Sequence, residues 1–371
     1  MIKTKLCDML GIKYPIIQAG MGPFGTNKLS VASANAGVLG LVSSSGLAGS
    51  FVMGEEVYQG FIKGIADPED DTDVALKKIY EYVLKNTRES KGIFGVNVMV
   101  SAELVGLAED IVDTTVAVRE ENPEMKDRLR AIITSAGNPK PCADRIHASE
   151  GLQWFHVVPS VKGAQKCEEA GVDGIIASGH EGGFHAAWEP LHSMVLIPAV
   201  VDACPDIPVI GAGGFCDGRT LTSALVLGAI GVQMGTRFLS TQESDFVQIW
   251  KDNVVKAGDR STVIARGIVG PARYIITPAA TRLSELTVKN CPGLFLGKPD
   301  DPYSGGSEIE ELIGKEVDGW VAAYKGDEEE ALTPGGEVAQ RINDMPHVKE
   351  LVEKIMSEAE ETLANLRKYE E

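Results

Sequence analysis

The chain has 371 residues, 44% of them hydrophobic, and a formal charge of −18. That length builds a sizeable core, as one large domain with additions or as two domains, and the acidic balance disfavours nucleic-acid backbones and anionic membranes as partners. No stretch reaches the ~20 apolar residues of a membrane span, the N-terminus lacks a signal-peptide pattern, and six scattered cysteines with no CxxC pair read as reduced thiols of a cytoplasmic protein.

Pro15-Ile16-Ile17-Gln18-Ala19 reads as a first strand, closed by Gly20-Met21-Gly22-Pro23. A helix follows over about 27–36, and Val38 to Val42 is a second strand, so a βα unit repeats and a parallel sheet follows. Residues 49–91 are too long for one connection; the acidic run Pro68 to Asp73 starts a helix that reaches about Thr87. Ile93 to Met99 is the third strand, 102–121 a helix, Arg130 to Thr134 the fourth strand and Gln153 to Val158 the fifth. A short helix over 161–170 leads to the sixth strand, Asp173 to Ala177. A helical stretch near 191–203 contains Pro198, which argues for a break. Pro208 to Gly211, a helix from Asp217 to Leu227, and Ile230 to Met234 complete the pattern. Eight strands, each followed by a helix, favour a closed (β/α)8 TIM barrel over an open sheet. Beyond about residue 290 the pattern changes. Pro292 to Gly306 reads as a loop, and 345–368 as a C-terminal helix with Val348, Leu351, Val352, Ile355 and Met356 on one face. The division expected is a barrel over 1–290, with an insertion after strand two at about 51–90, and a C-terminal extension over 291–371 packed on it.

The seventh strand ends in Gly211-Ala212-Gly213-Gly214 and the eighth in Met234-Gly235-Thr236-Arg237. Loops after these two strands of such a barrel commonly bind phosphate, because glycine lets backbone N–H groups approach an anion. The plain alternative is that the glycines only make tight turns. A dinucleotide fingerprint fails here, because Cys216 stands at its third glycine.

The loop after the sixth strand, Ser178-Gly179-His180-Glu181-Gly182-Gly183-Phe184-His185, puts two histidines and a carboxylate within six residues. A Schiff-base aldolase needs a strand-end lysine, and none of these strands ends in one. Cys216 is the sole candidate for a nucleophilic cysteine and reads as buried in a helix start. His180, Glu181 and His185 lack the i, i+4 spacing of a zinc hydrolase motif, so no metal is expected. Flavin chemistry remains: FMN needs a phosphate seat, backbone contacts to its ring and one proton-handling residue, for which His185 is preferred over His180. A purely structural loop histidine is the alternative.

These motifs, taken in order, resemble the nitronate monooxygenase (2-nitropropane dioxygenase) family, which includes FMN-dependent enoyl-ACP reductase II enzymes. The resemblance rests on Leu10 to Met21, Gly95-Val96-Asn97, the histidine loop, Ile210 to Gly214 and Gly231 to Phe238. It covers most of 1–290 and, more loosely, 326–356; residues 51–90 and 292–325 look like insertions. It implies non-covalent FMN, with Gly20, Met21 and Gly22 along the ring and Asn97 near it. It also implies that Ser178 and Gly179 touch the cofactor, that Gly213, Gly214, Gly235 and Thr236 hold the phosphate, and that Gln233 and Met234 lie close by. His185 matches the family's catalytic histidine and would take the α-proton of a neutral nitroalkane. The departure is Phe184, where the family commonly has glycine; it narrows the backbone and fills pocket volume. The implied reaction is oxidation of alkyl nitronates with dioxygen. The rival is reduction of an enoyl thioester with NAD(P)H. Small-molecule substrates and a homodimer are the partners expected.

Overall fold

The computed structural model describes residues 2–48, 54–101, 104–299 and 306–369. Eight parallel strands form the barrel: β1 (Ile16–Gln18), β2 (Gly40–Ser43), β3 (Phe94–Met99), β4 (Leu129–Ser135), β5 (Gln153–Val158), β6 (Gly174–Ser178), β8 (Val209–Ala212) and β9 (Val232–Met234). They are ordered β1-β9-β8-β6-β5-β4-β3-β2. β1 and β2 meet through one parallel bridge, Ile17 to Leu39, where Gln18 N donates to Leu39 O over 2.9 Å. That contact closes the ring into a (β/α)8 TIM barrel, and all eight expected strands belong to it.

The period of two along each strand separates two cores. Ile17, Leu39, Leu41, Ala131, Ile133, Phe155, Ile176 and Ile210 fill the barrel interior, and Leu6 and Leu10 of the N-terminal helix Lys5–Leu10 join them. Ile16, Val42, Val96, Ile132 and Ile175 point outward beneath the helices. The helix expected near 191–203 runs unbroken over Ser193–Ala203 with Pro198 inside it. A proline removes one backbone bond and strains the preceding turn, but Leu196, Ile197 and Val200 bury that helix against the barrel.

The insertion after β2 contains a helix over Glu55–Ile62 and the expected acidic-start helix, Thr72–Asn86. Residues 49–53 of it lie outside the described residues, as do 102–103 at the start of the expected third helix and 300–305 of the expected C-terminal loop. The C-terminal helix runs Val348–Leu366 with the five expected apolar residues buried. Gly218 lets it close on the barrel helix Gly218–Val226: a Cβ there would stand 2.3 Å from Ala359 N.

A second sheet lies outside the sequence expectations. β10 (Thr262–Gly267) and β11 (Gly270–Ile275) form a hairpin, and β7 (Phe184–His185), from the histidine loop, adds antiparallel to β11. The hairpin, the helix Pro278–Asn290 and the helix Gly306–Lys325 share a third apolar cluster that includes Tyr274, Leu283 and Trp320. Among the described residues no helix is long and apolar enough to cross a membrane.

Candidate active site

A cavity of about 320 Å³ opens at the C-terminal ends of the barrel strands, where barrel enzymes place their chemistry and within the size range of small-ligand sites. All thirteen residues singled out from the sequence line it. Gly20, Met21 and Gly22 follow β1, Asn97 lies on β3, and Ser178 and Gly179 close β6. Gly213 and Gly214 follow β8, Gln233 and Met234 end β9, and Gly235 and Thr236 follow it. His185 comes from β7.

The glycines are needed for contact as well as for turns. Gly213 and Gly214 sit at φ 76° and 91°, a region that side chains avoid. A Cβ on Gly213 would lie 2.5 Å from Gly179 O, and one on Gly20 would lie 2.4 Å from Asn97 Cβ. Main chain is therefore crowded where the adjacent ends of β6 and β8 meet, and glycine main chain near an opening is the form an anion seat takes. Asn97 Nδ2 donates to Ile133 O (3.1 Å) and Ser135 Oγ (3.3 Å), which leaves Oδ1 as its acceptor. Thr236 Oγ1 accepts from Gly336 N over 2.9 Å, so its own hydrogen stays available to donate.

The histidine loop is tied down on both sides. Glu181 accepts from Ser193 N (3.0 Å) and Ser193 Oγ (2.7 Å) at the start of the helix Ser193–Ala203, a capping contact. Arg273 of β11 donates to His180 O over 2.9 Å and pairs with Glu337 over 3.0 Å. Gly183 packs against Gly335 and Gly336: its Cβ would stand 2.5 Å from Gly336 N. Pro334, Gly335, Gly336 and Val338 line the cavity too, although nothing in the barrel pattern pointed to them. Their one local signal is the turn-forming Pro334-Gly335-Gly336 itself. The hairpin was readable in principle, from two β-rich runs around Gly267 and Gly270.

His185 stacks on Phe184, with ring centroids 4.1 Å apart and an interplanar angle of 18°. Burial pushes its imidazole down to about 4. It is therefore neutral near pH 7, a weak base and a competent N–H donor. His180 is also pushed down to about 4, by burial first and then by Arg273 and His192; its Nδ1 is buried without a hydrogen-bond partner among the described residues. Among the described residues no group of three His, Cys, Asp or Glu side chains is placed to hold a metal. Cys216 is buried, and that burial raises its thiol to about 11. Glu181 is the one formal charge among the described lining residues, and no lysine or arginine joins it.

These shifts carry a stability prediction. His156, His180 and His185 are each lowered to about 4, burial being the first cause, against about 6.5 in an unfolded chain. Between those values the unfolded chain binds more protons than the folded one, so stability falls as pH drops from about 6.5 towards 4. The urea midpoint is expected to be lower at pH 5 than at pH 7.5. An equal or higher midpoint at pH 5 would show that these imidazoles are not held neutral.

Comparison with known proteins bears on this arrangement. The family model for nitronate monooxygenase matches residues 3–358. A Mycobacterium tuberculosis protein named (3aS,4S,5R,7aS)-5-hydroxy-7a-methyl-1-oxo-octahydro-1H-indene-4-carboxyl-CoA dehydrogenase is 29% identical over 391 aligned positions, covering 96% of each chain. A probable nitronate monooxygenase of Staphylococcus aureus is 30% identical over 299 residues, 72% of this chain and 76% of that one. The structure of FabK from Thermotoga maritima superposes with a TM-score of 0.76 at 28% identity, with both chains fully covered.

Proposed function

We propose that this chain, which belongs to the nitronate monooxygenase family of oxidoreductases, binds FMN at the barrel mouth and oxidises alkyl nitronates with dioxygen. The observation that carries the reading is His185 of β7 on the wall of a cavity whose floor includes the glycines after β8 and β9. Gly213, Gly214, Gly235 and Thr236 would hold the FMN phosphate, and the Thr236 hydroxyl would donate to it. Gly20, Met21, Gly22 and Asn97 would line the ring, and Asn97 Oδ1 would accept from it. Ser178, Gly179, Gln233 and Met234 complete the seat. FMN, when bound, supplies the redox chemistry.

His185 donates its N–H to an oxygen of the substrate. At about 4 its imidazole is a poor acceptor for an α-proton. A nitronate, which has already lost that proton, therefore suits the site better than the neutral nitroalkane. Glu181 takes no proton from the substrate in this scheme, because Ser193 holds its carboxylate.

A second reading, reduction of an enoyl thioester with NAD(P)H, is favoured by one feature. The described lining offers no cation for an anionic nitronate, whereas a neutral thioester oxygen needs only the His185 N–H. The name of the Mycobacterium tuberculosis relative, a carboxyl-CoA dehydrogenase, supports the thioester as substrate class. Anaerobic addition of NADH and NADPH to the purified protein, followed by flavin absorbance, separates the two. No bleaching of a yellow protein, with dioxygen consumed when ethyl nitronate is added in air, is the expected result. Rapid bleaching by a nicotinamide would turn the assignment to the thioester. A colourless protein unable to take up FMN would overturn both.

A further inference from the structure

We propose that Phe184 is the specificity-determining wall of this site: its ring covers one face of His185 and confines the substrate to compounds unbranched at the reacting carbon. The inference rests on the nitronate reading above and adds a substrate class to it.

Adjacent residues of an extended strand point to opposite faces, so Phe184 and His185 of β7 would ordinarily diverge. Phe184 instead has φ 63°, a conformation that a side chain adopts only when its surroundings impose it. Several contacts impose it here. Phe184 and His185 pair with Arg273 and Ala272 of β11, and Ala186 N donates to Pro271 O over 2.8 Å. Gly183, just before, is packed on Gly335 and Gly336. Trp320, from the helix Gly306–Lys325, meets the Phe184 ring edge-on at 5.5 Å and 75°.

The turned backbone brings both rings to one side, where they stack 4.1 Å apart. Nothing enters between rings at that spacing. Phe184 also reaches the opposite rim: its Cε1 lies 3.8 Å from where a Cβ on Gly22 would stand. The ring thus spans from the imidazole to the turn after β1, inside the cavity lining. A substrate oxygen can meet the His185 N–H only in the plane of the imidazole, and a second carbon branch on the Phe184 side meets the phenyl ring.

The test compares propyl-1-nitronate with propyl-2-nitronate by dioxygen consumption, in the wild-type protein and in Phe184→Gly. Glycine suits the φ at this position, so the variant removes the ring without adding strain. The wild type is expected to favour the primary nitronate about tenfold in kcat/KM, and the variant to bring the two within about threefold, the scale of one methyl group in an apolar pocket. An unchanged ratio in an active Phe184→Gly protein overturns the proposal. Phe184→Ala, read the same way, replaces the glycine variant if that one does not fold.

A second measurement needs no substrate. Carbethoxylation of His185 by diethylpyrocarbonate, followed by peptide mass spectrometry, is expected to speed up when the covering ring is removed. An equal labelling rate overturns the wall. A wild-type protein that oxidises neither nitronate brings down the nitronate reading, and the labelling rate then decides the wall by itself.

Discussion

Replacing His185 by alanine is expected to lower kcat/KM on ethyl nitronate by about 10–10²-fold, the scale of losing one hydrogen bond to a charged group. Dioxygen consumption under steady-state conditions reads the effect, and flavin absorbance checks that the cofactor stays bound. β11 fixes His185 through its pairing with Ala272, and Phe184 fixes the plane of the ring. Burial keeps the imidazole neutral, so what it offers a substrate at pH 7 is a hydrogen-bond donor. His185→Asn keeps an N–H and should retain more activity than His185→Ala. If the two variants lose activity equally, or if alanine costs nothing, His185 is not the donor.

Gly213→Ala is expected to release the flavin and to lower folding stability by about 2 kcal/mol or more, through left-handed backbone strain and a steric clash together. The added Cβ would stand 2.5 Å from Gly179 O and 3.0 Å from Gly179 N. Neither contact can relax without moving the end of β6, which carries Ser178 into the same cavity. Gly11→Ala is the control. Gly11 has the same φ of 76° but nothing within 4 Å of the added carbon, and it caps the N-terminal helix away from the cavity. That variant should lose about 1 kcal/mol and keep its flavin. Flavin absorbance after desalting and the urea midpoint measure both variants. Retention of flavin by Gly213→Ala would remove the phosphate seat from the ends of β8 and β9.

Much of the barrel was legible because its strands are buried on both faces. Such strands read as short apolar runs, and Val209-Ile210 and Gly174-Ile175-Ile176 lie fully in the core. Glycines punctuate their C-terminal ends, and a closed parallel barrel brings all those ends to one mouth. Residues as far apart in sequence as Gly20, Asn97 and Gly179 are assigned to the site by the family resemblance, and the structure places them with Gly235 around one cavity.

The third strand of the second sheet was not legible for the opposite reason. β7 is two residues long, too short for any periodic signal, and it exists only because β11 pairs with it. The unbroken helix around Pro198 is a similar case: the local preference for a break gave way to burial of Leu196, Ile197 and Val200.

The barrel and its glycine strand ends are written in the sequence, because short apolar runs and turn chemistry are local properties of the chain, and the family resemblance adds the other residues around its mouth. Only the tertiary structure decided how His185 is presented. Its ring plane depends on the hairpin and on Phe184, which Trp320 and the Gly335-Gly336 turn help to place, and burial lowers its pKa. These are long-range contacts, and no local pattern encodes which distant surfaces will meet.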